Sequence, residues 1–567
     1  MKFVLKMIKI VQRLQFENVF PEEEPKDILD YLKNVSRDSL LMTIGYCSKN
    51  PSTNFDNFFS NPDLKNDIYE RIVNYSRQNH IAQKPELISK YASLKLAEHI
   101  LSNKEILDNK LISVDEDELN LFKAFLVING QLNTQQKLDN LNDDNFERLV
   151  DYNLIFKFPE SDLALFQNDG LEFLKLVFCT IHKVEELFRF LNSNTDFTEI
   201  KNEFLISFKT DSEQEFILQM KYLFGQLLKS KTSNGYAFEV HEKASLEFLK
   251  SMTSENITID EDFTHLKNNP IYFLGENRFS IVNYFFAVDK FYKSTKFKLK
   301  EIYESYDDLK KKYGNFFGFF NKQFSENFLM KNVLDNIFDK KYFFKKAENE
   351  HEMDGEPDYY IRHNNTIFLF ENKDVLVSKS VKSSANIEEI NDVLHSKFVH
   401  DGAKSVGIGQ LVNSITEIIN KTFKLDEYVN SKNNLEIFPI LIIQDRIFQS
   451  PGINYRLNSW YLKIVKDSLG EKYNSSNVKG LTVIDIDTLI VWIPYLKEKD
   501  KRFKEIIVDH LFRMQTTKKV DAPDLETGRY RINRNLYEQI GAISTRKIPF
   551  KISTESLAEK FKEVIQK

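Results

Sequence analysis

The sequence predicts a mixed α/β protein in two parts: a large all-α N-terminal region, then a smaller core of helices and strands in the order αβββαβ. Three observations carry this. Apolar residues recur every three or four positions over the first 265 residues. Examples are Ile28, Leu29, Tyr31, Leu32 and Val35, and the longer stripe from Leu171 through Leu174, Phe178, Ile181, Val184 and Phe188 to Leu191. The pattern changes at Asn268-Asn269-Pro270, beyond which short apolar runs are bounded by turn residues. One of those runs, Ile367-Phe368-Leu369-Phe370, ends in Glu371-Asn372-Lys373, although charged residues are seldom buried without partners.

At 567 residues the chain is too long for a single core. Its patterns divide it into a helical scaffold over 1–265, a hairpin and basic-aromatic lead-in over 266–319, the α/β core over 320–500, and a helical, basic tail over 501–567. A net charge of −6 offers no global basic field, which argues against a protein that coats DNA and leaves room for a local basic cleft. Two cysteines, Cys47 and Cys179, build neither a CxxC zinc site nor a disulfide framework. The opening MKFVLKMIKIV is broken by Lys2, Lys6 and Lys9, and no long uncharged apolar run follows, so a cytoplasmic protein without a membrane span is expected. The chain has no GxxxxGK[ST], HExxH or GxSxG motif, which removes the signatures of P-loop, zincin and serine-hydrolase chemistry.

In the helical region, Ser60 to Asp63 and Ser113 to Glu116 supply capping residues. Ile271–Leu274 and Phe279–Val282 flank Gly275-Glu276-Asn277 and read as a hairpin. Residues 287–346 hold 14 Lys against 8 acidic residues, interleaved with Phe291, Tyr292, Tyr313, Phe316, Phe317, Phe319 and Phe320. That mixture is compatible with a nucleic-acid face, and equally with a solvated helix face over a Phe-rich core. Phe324, Phe328, Val333, Leu334 and Ile337 form an amphipathic helix with Glu326 near its start, and Tyr342–Phe344 is the expected first strand. Residues 378–406 form a polar excursion. The helix of Leu411, Val412, Ile415, Ile418 and Ile419 then opens on Gln410. Leu435–Ile443 reads as a strand that Pro439 assigns to an edge or bulge. Leu481–Ile486 and Leu489–Ile493 read as further strands, and Phe503–Met514 as a helix. Lys518, Lys519, Arg529, Arg531, Arg534, Arg546 and Lys547 close the chain as either a phosphate-reaching arm or a surface tail.

The stretch from Glu352 to Val377 organises the rest. A two-residue turn at Asn364-Asn365, which suits Asn because it tolerates positive φ, pairs 363 with 366, 360 with 369 and 358 with 371. Asp358 then faces Glu371 across the ladder, and Lys373 shares their side of the sheet. Two carboxylates that close repel, and a divalent cation is the natural way to keep both ionised. His363 lies on the wrong side to join them, and Glu348, Glu350 and Glu352 read as solvated.

Pro357, Asp358, Glu371, Asn372 and Lys373 together resemble the PD-(D/E)XK nuclease superfamily, and the order of elements over about 320–500 resembles its restriction-endonuclease-like αβββαβ core. The resemblance covers under half of the chain. It implies that Asp358, Glu371 and the main-chain carbonyl of Asn372 hold Mg²⁺, with Mn²⁺ able to substitute. It implies that Lys373 orients the attacking water and steadies the phosphate, and that Gln410 contributes polar contacts. Glu326, on the helix before the sheet, takes the place of a glutamate that faces the metal, or is simply an acid favoured in a first helical turn. The implied activity is phosphodiester hydrolysis on nucleic acid, DNA in preference to RNA, with a restriction or anti-phage role by analogy. The helical region is then a surface for nucleic acid, a protein partner or self-association. The alternative is an inactive nuclease-like scaffold.

Overall fold

The computed structural model describes residues 13–50, 58–81, 84–110, 113–135, 145–163, 170–232, 237–254, 256–347, 357–516 and 541–543. The N-terminal region is helical as expected, and its helices begin where polar side chains cap them. Ser36 accepts from Ser39 N, Asn61 from Asp63 N and Leu64 N ahead of Pro62, and Ser89 from Ala92 N. The helix Gly170–Asn192 buries Phe173, Val177, Val184 and Phe188 along one stripe. One departure from the all-α expectation is β1 (Ala237–Glu239). It pairs antiparallel with β3 (Arg278–Ile281), which in turn pairs with β2 (Ile271–Gly275), the hairpin read from the sequence.

The larger sheet has five strands in the order β10-β9-β6-β5-β4. They are β4 (Phe344–Ala347), β5 (Tyr359–His363), β6 (Thr366–Lys373), β9 (Glu436–Ile443) and β10 (Thr482–Asp485). A two-residue ladder, β7 (His400–Asp401) with β8 (Lys404–Ser405), lies between them in sequence. β4, β5 and β6 form an antiparallel meander, while β9 runs parallel to β6 and β10 parallel to β9. β6 is therefore central and ends beside β9, with Lys373 level with Ile443.

Helices cover both faces. On one side, Ile408–Asn420 buries Leu411, Ile415 and Ile418. On the other, Phe503 of the Lys501–Thr516 helix packs its ring 5.2 Å from Phe368 and 5.3 Å from Phe338. The edge strand β10 is protected by Asn454, which donates to Leu481 O and accepts from Val483 N, and by Ile543, whose N–H reaches Val483 O.

Several expectations need correction. The first strand of the core starts at Phe344, not Tyr342. Residues 379–383 and 387–398 are helical, not an irregular excursion, with Ser378 and Asn386 as caps. Leu489–Ile493 lies inside the helix Ile486–Glu498, capped by Asp485; a short apolar run fits a buried helix as well as a buried strand. Pro439 sits in the interior of the sheet rather than at an outer edge, but at an irregularity of the expected kind: Ile437 is level with Val478 and Ile440 with Thr482, so the facing chain carries one extra residue there. Ile437 directs its N–H to Asn477 O, so Pro439, two residues on, directs its missing N–H to the same side. There it falls between the bridge at Val478 and the start of β10 at Thr482, where a ladder hydrogen bond is not required. Of the seven aromatics read in 287–346, Phe291, Tyr292, Phe316, Phe319 and Phe320 are buried and Tyr313 and Phe317 half-buried, while Phe297 in the same stretch is exposed. Most of the aromatics that suggested a nucleic-acid face there therefore belong to the core. Glu348, Glu350, Glu352 and the basic residues from Lys518 to Lys547 lie outside the described residues. No helix among the described residues is long and apolar enough to cross a membrane.

Asp426 ties β5 to the layer above it, accepting from Tyr360 Oη at 2.8 Å and from Arg362 Nε. Asp426→Ala strands a buried hydroxyl and a guanidinium, and should lower the unfolding free energy in urea by about 3–5 kcal/mol. Asp30→Ala, which removes an exposed pair with Lys33, should change it by less than about 1 kcal/mol.

Candidate active site

The site grows from the register of the β5–β6 hairpin. Asn364 adopts φ 52°, and the ladder pairs His363 with Thr366, Tyr360 with Leu369 and Tyr359 with Phe370. One further step in the same register sets Asp358, just before β5, against Glu371. Contacts agree: Asp358 Oδ2 accepts from Asn372 N at 2.6 Å. In an extended strand the N–H and C=O of one residue point to the same edge, so the Asn372 carbonyl faces the Asp358 side too.

Lys373 lies between groups of opposite sign. Its Nζ is 3.4 Å from Glu371 Oε2 and 3.4 Å from Gln410 Oε1. Burial alone would pull the lysine down. The carboxylates of Glu371 and Asp358, with a further contribution from Glu326, outweigh burial and hold it above the ordinary lysine value. Gln410 is the third residue of the Ile408–Asn420 helix and also accepts from Gly407 N at 2.8 Å, as an N3 glutamine does at a helix start. Gln410 is thus fixed by its own helix and meets Lys373 as a preset acceptor.

The structure brings Asp358, Glu371, Asn372, Lys373 and Gln410 into one connected group. Glu326 acts on the group through its charge, which helps to hold Lys373 above the ordinary lysine value. It does not occupy a first turn: it lies within a continuous helical run from Phe316 to Ile337, in the π-helical part Phe320–Met330. A widened turn of this kind often marks a functional position. Among the described residues, no three His, Cys, Asp or Glu side chains converge as a ready-made metal cage.

Two further groups complete the site, and the sequence reading missed both. Gln444, just past β9, donates from Nε2 to Asn372 Oδ1 at 2.8 Å and from its main chain to Lys373 O. Asp374 follows Lys373 and is gripped by Lys296 Nζ at 2.8 Å, by Ser325 Oγ at 2.5 Å and, at its carbonyl, by Asn321 at 2.7 Å. The available signal was local: each is a polar residue directly after a buried apolar strand, where a charged or amide side chain requires partners.

The site is closed over. Asp358 is 5% exposed and Glu371 0%. The Lys373 side chain, at 15%, keeps the largest exposure of the three. The covering turn at Gly407 presses on the lysine, and a Cβ there would come within 2.8 Å of Lys373 Cε and 3.0 Å of Phe398 O. The donor set nevertheless suits Mg²⁺ or Mn²⁺: two carboxylates and a carbonyl, all oxygen, with waters and a substrate phosphate to fill the remaining positions. Two negative charges against one ammonium also leave a deficit that a cation would relieve. Lys373 and the Gly407 turn together shut Glu371 off from solvent.

No protein-family model, curated protein or solved structure matches this chain.

The packing at Gly407 is testable against a built-in control. Gly407 (φ 50°) and Gly402 (φ 60°) both hold left-handed backbone, but a Cβ at Gly402 meets open space. Gly402→Ala should cost about 1 kcal/mol in urea unfolding. Gly407→Ala should cost at least about 2 kcal/mol, because it adds the collision with Lys373 and Phe398 to the backbone strain.

Proposed function

We propose that the chain is a metal-dependent nuclease of the PD-(D/E)XK kind, hydrolysing phosphodiester bonds of nucleic acid, DNA in preference to RNA. The observation that carries this reading is the placement of Asp358 against Glu371, with Lys373 on the same side, at the carboxyl end of the central strand. Ligand sites in open α/β sheets favour that end of the strands. The order of the surrounding elements supports a restriction-endonuclease-like core. A helix over 316–337 precedes the three-strand meander β4–β6, and a helix over 408–420 leads into the parallel strand β9.

On this reading Asp358, Glu371 and the Asn372 carbonyl would hold the cation. The bound metal supplies a water of lowered pKa as nucleophile. Asn372 N, by holding Asp358 Oδ2, fixes that carboxylate for its task. Lys373, whose Nζ lies 3.4 Å from Glu371 Oε2, would offer its ammonium to the scissile phosphate and stabilise the charge that builds there. Gln410 limits the swing of Lys373. Gln444 holds the Asn372 side chain and so keeps β6 in register at the site. Glu326 adds negative potential from the neighbouring helix.

The test is cleavage of plasmid, linear DNA and RNA by purified protein, with Mg²⁺, Mn²⁺ or EDTA. Cutting should need either metal and stop in EDTA. Asp358→Asn and Glu371→Gln should abolish it, and Lys373→Met should lower the rate about a hundredfold or more. Nucleic-acid affinity should hardly change in Lys373→Met, since it comes from many spread phosphate contacts. Activity that survives EDTA or Glu371→Gln ends this reading. Nucleic-acid binding with no metal-dependent cutting, in wild type and variants alike, favours the inactive scaffold instead.

A further inference from the structure

A second site lies where the helical region meets the carboxyl ends of β6 and β9. Here the chain encloses a cavity of about 270 Å³, near the lower end of the size range of small-molecule sites. Segments far apart in sequence line it: Asp162 from the helical region, the 262–268 stretch, 289–297, Val377 and Lys382 beyond β6, and Asp445 beyond β9.

Four lysines and four aspartates line it, and they pair unevenly. Lys267 and Lys382 both reach Asp162 and Asp262, at 3.0 and 3.1 Å for Lys267. Lys293 pairs with Asp445 at 2.9 Å. Three lysines thus meet three aspartates. The fourth lysine on the wall, Lys290, is 9% exposed and makes no ion pair with any described residue; its ammonium donates to the Asn268 carbonyl. Burial pulls it down to about 8. Asp289, the one acid left on the wall, is pushed the other way by burial, towards its neutral form. A desolvated ammonium without a counter-charge is costly to keep, and an incoming anion would relieve it.

The remainder of the wall is apolar. Phe286, Val377 and Ile447 lie against it, and Phe297 stands at its edge, 43% exposed. Lys290 closes the helix Tyr284–Asp289, and Lys293, Ser294 and Phe297 lie on the next helix, Lys293–Tyr303. The break between the two helices brings a cation and an aromatic ring to the wall of one cavity. We infer that this cavity binds a nucleoside monophosphate moiety, with its phosphate against Lys290 and its base against Phe297. Aromatic stacking accepts any base, so the site takes the chemistry without demanding one sequence. A smaller cavity shares Asp162, Lys293, Leu376 and Asp445 with it and reaches Asp374 and Gln444, beside Lys373. The moiety therefore comes either as a free nucleotide or as the terminal nucleotide of a strand. The inference does not depend on whether the chain cuts nucleic acid.

Isothermal titration calorimetry in EDTA, where no metal chemistry occurs, tests it. The probes are AMP, GMP, CMP and UMP, adenosine, inorganic phosphate, and a dinucleotide with and without a 5′-phosphate. At least one mononucleotide should bind with Kd below about 1 mM, and adenosine and phosphate at least about tenfold more weakly. Lys290→Met should weaken the mononucleotide at least about tenfold while melting no lower than wild type, since it removes a lone buried charge. Phe297→Ala should weaken the mononucleotide and leave phosphate unchanged. A 5′-phosphorylated dinucleotide that binds as well as the mononucleotide assigns the site to strand ends; binding of the mononucleotide alone assigns it to a free nucleotide. No binding by any probe overturns the inference. So does phosphate binding as tightly as the mononucleotides, or mononucleotide affinity unchanged in both variants.

Discussion

The structure turns on the burial of Glu371. A carboxylate with no solvent exposure, at the end of a strand of Ile, Phe and Leu, must have its charge met from within the fold. Lys373 meets it from two residues along the same strand, and Asp358 faces it from the next. This triad constrains its surroundings in turn. β5 and β6 must keep their register, because a slip by one residue would send Asp358 to the opposite face. The residue at 407 must lack a Cβ, because the Lys373 side chain fills that space.

A second ring of polar contacts holds the strand end in place. Asn372 is held from β9 by Gln444, and Asp374 from the 316–337 helical run and Lys296. Other buried pairs join the helical region to the α/β core, as where Lys183 meets Asp487 at 2.7 Å and Arg456 meets Asp151. Charged groups at these seams are satisfied by partners from the other region, so neither region offers the same surface alone. The Lys290 cavity sits on this seam, one residue shell away from Asp374.

The hairpin was legible in the sequence because three local signals agreed: the Asn-Asn turn, the apolar alternation and the polar residues at 358 and 371. Gln410 was legible too, since a glutamine at N3 marks a helix start. Glu326 was placed on the correct helix, yet the run begins at Phe316, further back than the apolar pattern indicated. Three features depended on tertiary context. Pro439 is tolerated inside the sheet only because β10 starts late. Leu489–Ile493 is helical because Asp485 caps it and the core surrounds it on all sides. β1 is a three-residue strand that exists by pairing with a hairpin some forty residues on. The closure of the site was also hidden, since a residue's exposure depends on what folds over it, here the turn at Gly407.

The central claim is that Asp358 and Glu371 together form a divalent-metal site now balanced by Lys373. Electron paramagnetic resonance titration of Mn²⁺ tests it without reference to any substrate. Wild type should bind one Mn²⁺ per chain, displaced by Mg²⁺, and the double variant Asp358→Asn/Glu371→Gln should bind none at that site. Lys373→Met should bind Mn²⁺ at least as tightly as wild type, because the competing ammonium is gone. Equal Mn²⁺ binding by wild type and the double variant, or none by Lys373→Met, would contradict the account.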